Sequence, residues 1–155
     1  MTRLKLSSPD GVIVFQGSSA LSLDPKGRMT VPARHRDSLA SLCDGALTLV
    51  RHPDGCLVLY PRPTWEQQRE RIAAWPANAR AWQRILLGSA TDVEMDSAGR
   101  ILVSPELRTA ASLTRDVMLL GLGNRFEVWD AGTLSVRETE ALTAPPPDAV
   151  ASFAF

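Results

Sequence analysis

The chain has 155 residues, 45% of them hydrophobic and 22% charged, with a formal net charge of +0: the balance of an ordinary folded protein, one compact domain or two small ones sharing a core. Its longest uncharged run, residues 11–23, has 13 residues and is too short to span a bilayer, and Pro9 and Asp10 interrupt any secretory-type stretch behind Arg3 and Lys5. Cys43 and Cys56, with only two histidines in the chain, do not make a metal-site spacing and read as small buried apolar residues. The expectation is a cytosolic protein without cofactor, metal or membrane segment. Zero net charge does not exclude nucleic acid, because binding depends on where positive charge clusters.

Taken in order, a short strand at Ala20–Leu23 leads into a turn ending at Gly27, and a second strand covers Arg28–Val31. Glycine supplies the positive φ of such a turn, and the Asp24 carboxylate can accept its backbone amides. Pro32 opens a helix that ends near Asp44-Gly45. A hairpin follows, Ala46–Val50 with Leu57–Tyr60, reversed at His52-Pro-Asp-Gly55. The next helix is placed at Thr64, where Thr-Trp-Glu-Gln67 resembles a capping box. A linking helix, about Asn78–Leu87, carries Trp82, Ile85 and Leu86 on one side and ends at Gly88.

The order then repeats. A strand at Asp92–Met95, a turn ending at Gly99, and a strand at Arg100–Val103 lead to a helix at Pro105 with Ser104 as N-cap. A hairpin joins Val117–Leu120 to Phe126–Trp129 through Gly121-Leu-Gly-Asn124, and a last helix starts near Thr133. Ala144-Pro-Pro-Pro147 breaks it, leaving an extended or loose tail. Residues 24–36 laid over 96–108 share Asp, Gly, Arg, Val and the closing Arg, five of thirteen positions without a gap. A unit of this size is marginal alone, so two are expected to complete each other's core.

Asp-x-x-Gly-Arg, then an apolar strand and a Pro-started helix, resembles the swapped-hairpin module of AbrB-like bacterial regulators. Two tandem copies, opened by Phe15-Gln-Gly17 and Leu86-Leu-Gly-Ser89, together with Tyr60-Pro-Arg-Pro-Thr-Trp65 and Phe126-Glu-Val-Trp-Asp130, are similar to the MraZ family over nearly all of residues 15–142. The resemblance implies an α+β, mainly β fold: two AbrB-like swapped-hairpin units forming a pseudo-twofold barrel with flanking helices. It divides the chain into an N-terminal extension (1–14), a first module (15–76), a linking helix (77–87), a second module (88–142) and a tail (143–155). It also implies a transcription regulator that binds direct repeats of double-stranded DNA in a promoter of the division and cell-wall gene cluster. The protein would act as a ring of identical subunits at the nucleoid. The chain departs from the family in two places: residues 1–14 precede the usual start, either as a basic arm or through a mis-assigned start codon, and Ser104 stands where a proline is expected.

Charge distinguishes the copies. Residues 24–36 hold Lys26, Arg28, Arg34 and Arg36 with Asp24, and Asp37 nearby, whereas residues 96–108 hold only Arg100 and Arg108 against Asp96 and Glu106. The first copy is therefore assigned the DNA contact: Arg28 to phosphate or guanine, Lys26 to phosphate, Arg34 extending the surface. Asp24, Gly27, Asp96, Gly99 and Arg100 are read as the structural motif, with Arg100 bracing its own turn. Arg36 and Arg108 fit a structural ion pair as well as DNA contact. Trp65, Trp75, Trp82 and Trp129 fit core or subunit interface; His35 is a half-buried histidine and His52 a solvated turn residue. No nucleophile–base arrangement, glycine-rich phosphate loop or ligand cluster marks an enzyme, and no small-molecule substrate is expected. The rival is a protein-interaction module of antitoxin type.

Overall fold

The computed structural model describes residues 13–155. The N-terminal basic arm expected around Arg3 and Lys5 lies outside the described residues. Eight strands and six α-helices occur in the order β1 (Phe15–Ser22), β2 (Arg28–Thr30), α1 (Ala33–Cys43), β3 (Ala46–Arg51), β4 (Leu57–Pro61), α2 (Arg62–Ala73), α3 (Arg80–Ser89), β5 (Thr91–Glu94), β6 (Arg100–Leu102), α4 (Pro105–Ala110), β7 (Asp116–Gly123), β8 (Phe126–Asp130), α5 (Ala131–Thr143) and α6 (Asp148–Ala151).

Six strands make one antiparallel sheet in the order β1-β7-β8-β4-β3-β5, and β2 and β6 make a separate two-stranded ribbon. This corrects the expected closed barrel: β1 and β5 are the two edges of an open sheet. The physical reason lies in the Asp24 and Asp96 turns, which lead the chain out of the sheet. β2 and β6 then pair with each other instead of joining the sheet's ends. Exchanging each strand for its counterpart in the other unit returns the same order. The register agrees, with Met29 opposite Ile101 at the centre of the ribbon and Val58 opposite Glu127 between β4 and β8.

Each unit supplies half of the core. Phe15, Met29, Val31, Leu39, Leu47, Leu49, Leu57 and Leu59 from the first pack with Ile101, Val103, Leu107, Val117, Leu119, Phe126 and Val128 from the second. Arg62 adds a polar clasp from first unit to second, donating from Nη2 to the carbonyls of Leu47 (2.7 Å) and Val93 (3.0 Å). Neither unit could bury these faces alone.

Several boundaries differ from expectation, and at β1 and β7 a pairing partner overrides the local pattern. β1 begins at Phe15, five residues before the expected Ala20, because β7 pairs with it along its whole length. For the same reason β7 runs through Gly121 to Gly123, and the reversal tightens onto Gly123, at φ +83°, and Asn124. The Leu122 amide donates to the Arg125 carbonyl across it at 2.9 Å. α2 starts at Arg62 behind Pro61 without a side-chain cap, so the Thr64 capping box does not form; Pro63 already sits in the first turn. Ser104 does cap α4, accepting from the Leu107 amide at 3.3 Å. α3 continues past Gly88 to Ser89, and the expected loose tail contains α6.

Candidate functional site

The two Asp-x-x-Gly-Arg turns have one geometry. Asp24 Oδ1 accepts the amides of Lys26 (2.9 Å) and Arg28 (2.8 Å), and Arg28 Nε donates to Asp24 Oδ2 at 2.7 Å. In the second unit Asp96 Oδ1 accepts the amides of Ala98 (3.0 Å) and Arg100 (2.8 Å), and Arg100 Nε donates to Asp96 Oδ2 at 2.9 Å. The backbone amides of Arg28 and Arg100 are the main reason that both carboxyls titrate below the ordinary aspartate value, and the guanidiniums add to it. Arg28 is therefore braced as Arg100 is, and the brace does not tell the two apart. It occupies Nε in each, and among the described residues the terminal nitrogens of both guanidiniums make no hydrogen bond or ion pair.

Gly27 and Gly99 carry φ of +87° and +79°. Each also receives an arginine from the opposite unit: a Cβ on Gly27 would lie 2.8 Å from the Arg108 guanidinium, and one on Gly99 would collide with Arg36. Arg36 Nε donates to the Val31 carbonyl at 2.7 Å and Arg108 Nε to the Val103 carbonyl at 3.0 Å. The Val31 and Val103 amides in turn donate to the Gly99 (2.8 Å) and Gly27 (2.9 Å) carbonyls across the ribbon. Arg36 and Arg108 thus lock the turns together through carbonyls, and the ion pair considered for them is absent among the described residues.

The ribbon decides which side chains face outward. Met29 and Ile101 are buried at 1% exposure each, so Arg28 and Thr30 on β2, with Arg100 and Leu102 on β6, lie on the opposite face. Arg28 stands opposite Leu102, and Thr30 opposite Arg100. Two arginines from different units therefore share one face of one ribbon, a juxtaposition that neither copy shows by itself. Lys26 is exposed on the first turn. A shallow cleft of about 640 Å³ beside that turn is lined by Asp24, Pro25, Arg108 and Arg115. Sequence reasoning passed over Arg115, because only the fold brings β7's approach beside the Asp24 turn.

Arg34 is held elsewhere: Nη2 donates to Ser19 Oγ (2.8 Å) and the Ser18 carbonyl (3.2 Å) of β1, and Nε to His35 Nε2 (3.2 Å). No hydrogen bond or ion pair joins it to the Asp24 turn among the described residues. His35 is buried rather than half-buried, its ring against Phe126 (centroids 4.9 Å) and Phe15 (5.9 Å). Burial, then the neighbouring Arg34 charge, pushes its pKa down, so the ring is neutral near pH 7.

Trp65 and Trp129 are core residues, whereas Trp75 and Trp82 are 39% and 44% exposed. These two line an apolar surface depression with Pro53, Pro76, Ala79 and Leu86. Cys56 is buried and Cys43 partly so. No helix among the described residues is long and apolar enough to cross a membrane.

Fold and site together define a class: an α+β protein of two tandem units that share one mainly antiparallel sheet, with paired arginines on a shared ribbon. The sequence profile of the family described as "MraZ protein, putative antitoxin-like" matches residues 14–85 and again 86–140. Proteins named "Transcriptional regulator MraZ" from Herminiimonas arsenicoxydans, Janthinobacterium sp. (strain Marseille) and Bordetella pertussis (strain Tohama I / ATCC BAA-589 / NCTC 13251) are 61%, 60% and 58% identical to it. Each alignment spans 142 residues, 92% of this chain and 100% of the relative. The chain belongs to the MraZ family.

Proposed function

We propose that this protein is a sequence-specific, non-enzymatic DNA-binding regulator of transcription that reads duplex DNA with the β2–β6 ribbon and the Lys26 turn. The carrying observation is the pair Arg28 and Arg100 on one ribbon face, their terminal nitrogens without a hydrogen bond or ion pair among the described residues. A two-stranded antiparallel ribbon fits the DNA major groove, and a guanidinium with a free edge can meet guanine O6 and N7. The Nε brace to Asp24 or Asp96 fixes each guanidinium before DNA arrives, which lowers the entropy lost on binding. Lys26 serves as a phosphate contact, and Arg115 extends the positive surface beside it. Arg34 acts through β1, holding the edge of the sheet next to α1, and reaches DNA only after leaving Ser18 and Ser19. The names of the relatives support regulation of transcription.

One ribbon offers few cations, and specific binding usually needs more phosphate contacts than these supply. Several subunits on a site of direct repeats would multiply them. The exposed Trp75–Trp82 depression supports self-association, and family membership supports a closed ring on the promoter of the division and cell-wall gene cluster, within the cytoplasm and nucleoid. The same resemblance supports approximate twofold symmetry within each subunit, for which the palindromic strand order also speaks.

Anisotropy titrations of the chain's own upstream DNA against scrambled DNA, across a salt series, test the reading. Preference for the upstream DNA, lost with Arg28→Ala while the oligomer persists in light scattering, is the expected result. Equal affinity for both DNAs would sink it. A second reading, an antitoxin-type interaction module, is favoured by the family description and by the exposed Val150, Phe153 and Phe155 of the tail. Unchanged DNA binding on removal of residues 148–155, with loss of a co-purifying protein, would separate the two.

A further inference from the structure

We propose a transition-metal site, of the kind that takes zinc, formed by His52, Cys56 and Glu127 at the seam between the two units. A ring nitrogen of His52, the Cys56 sulfur and a Glu127 carboxylate oxygen all lie within 4.8 Å of one another. Spacing along the chain hides this set, since Glu127 comes from the other unit and reaches the β3–β4 turn only through the β4–β8 pairing. His52, read from sequence as a solvated turn residue, belongs to a cluster of metal-ligating side chains.

Backbone geometry holds the three residues in place. The His52 amide donates to the Cys56 carbonyl at 3.0 Å, which closes the hairpin and sets the two residues across from each other. Asp54 orients the imidazole from within the turn, its amide donating to Nδ1 at 3.0 Å, which leaves the ring proton on Nε2. For Nε2 to take the metal that proton moves to Nδ1, which then faces the Asp54 carboxylate 3.7 Å away. Leu57 and Leu59 face the main core, so the alternation along β4 turns Cys56 to the outer face, where Trp129 of β8 and Leu134 of α5 pack with it.

Glu127 is the residue that asks for a cation. It is 9% exposed, accepts a hydrogen bond from the Trp129 indole N–H at 2.8 Å, has the Cys56 thiol beside it as a further, weak donor, and forms no ion pair among the described residues. Arg137 is close by, but its guanidinium lies over the Trp129 ring, 5.5 Å from the centroid. Buried carboxylates are ordinarily paired or coordinate metals. A divalent ion that displaces the Cys56 proton would face one thiolate and one carboxylate, so the charges cancel. The proton leaves to solvent, and nothing is oxidised or reduced.

The donor set selects the ion. Thiolate with imidazole disfavours magnesium and calcium and suits zinc or cobalt(II). Tetrahedral ligand atoms around zinc stand about 3.5 Å apart, so roughly 1 Å of side-chain movement closes the trio, leaving a fourth position for water. The bound ion would staple the first unit's hairpin to the second unit's β8, stabilising the pairing of the units.

Cobalt(II) and zinc titrations of the untagged full-length chain test the proposal. One equivalent of cobalt(II) should produce a thiolate-to-metal charge-transfer band, and zinc should abolish it. Cys56→Ser should remove the band while Cys43→Ser keeps it, and His52→Ala, a change in an outer turn that leaves the fold intact, should weaken binding at least tenfold. Zinc should raise the Tm of the wild type but not of Glu127→Gln. No band in the wild type, or the same band and affinity in His52→Ala and Cys56→Ser, would overturn the site.

Discussion

The two turns, Asp24–Arg28 and Asp96–Arg100, are the same structure carrying different chemistry. Their carboxylates accept equivalent amides, their glycines both have positive φ, and each receives an arginine from the other unit. The exposed positions between those fixed points diverge: Lys26 against Ala98, Thr30 against Leu102, Arg34 against Glu106. Residues that close the turn are held to type by geometry, while residues that face outward are free to differ. The repeat therefore keeps the fold symmetric and lets the surface become one-sided.

The most severe way to break the comparison is inside the ribbon. Met29→Ala and Ile101→Ala empty register partners buried equally, and each should cost about 2–5 kcal/mol in urea unfolding. Because the two side chains share one core, the double variant should depart from the sum of the singles. A large inequality between the singles would show that the units do not contribute equally.

Gly27→Ala and Gly99→Ala come next, at about 2–4 kcal/mol from backbone strain plus collision with the opposite arginine. Pairing Gly27→Ala with Arg108→Ala should recover part of the loss. No recovery would mean that conformation alone, and not the reciprocal arginine, demands glycine there.

Binding should then separate the turns. Arg28→Ala is expected to cost about 1–3 kcal/mol in specific DNA affinity, measured by anisotropy, and Arg100→Ala less, because no lysine reinforces its turn. Lys26→Ala should weaken all sequences alike and reduce the salt slope by about one. Equal losses for Arg28→Ala and Arg100→Ala would show that both arginines of the ribbon read DNA alike and that the Lys26 turn gives the first no advantage.

The smallest effect is on pH. The folded-state pKa values of Asp24 and Asp96 are lowered, so their stabilising contribution is present above the unfolded aspartate pKa. It fades as the pH falls from there through the folded values. Asp24→Asn and Asp96→Asn should each flatten the acid limb of the stability curve slightly and by similar amounts; a flattening confined to one would break the equivalence of the turns.

Much of this was legible without coordinates because it is local. Asp24 capping its turn, Gly27 and Gly99 at positive φ, Ser104 capping α4 and the left-handed exit of α1 at Asp44-Gly45 depend on residues within a few positions of each other. The repeat was legible for the same reason. The candidate site residues were legible as types: Lys26 and Arg28 by their place on a glycine turn, with Arg34's tie to β1 hidden by a separation of 15 positions.

What the sequence by itself determined, then, is the pair of turns, the helix starts and the family. The tertiary structure decided that β2 pairs with β6, that Arg28 and Arg100 share a face, and that Arg36 and Arg108 cross between units. It also left the sheet open and brought Glu127 to His52 and Cys56. Those outcomes depend on strand pairing between residues about seventy positions apart, which is settled by burying two half-cores against each other and leaves no periodic trace along the chain.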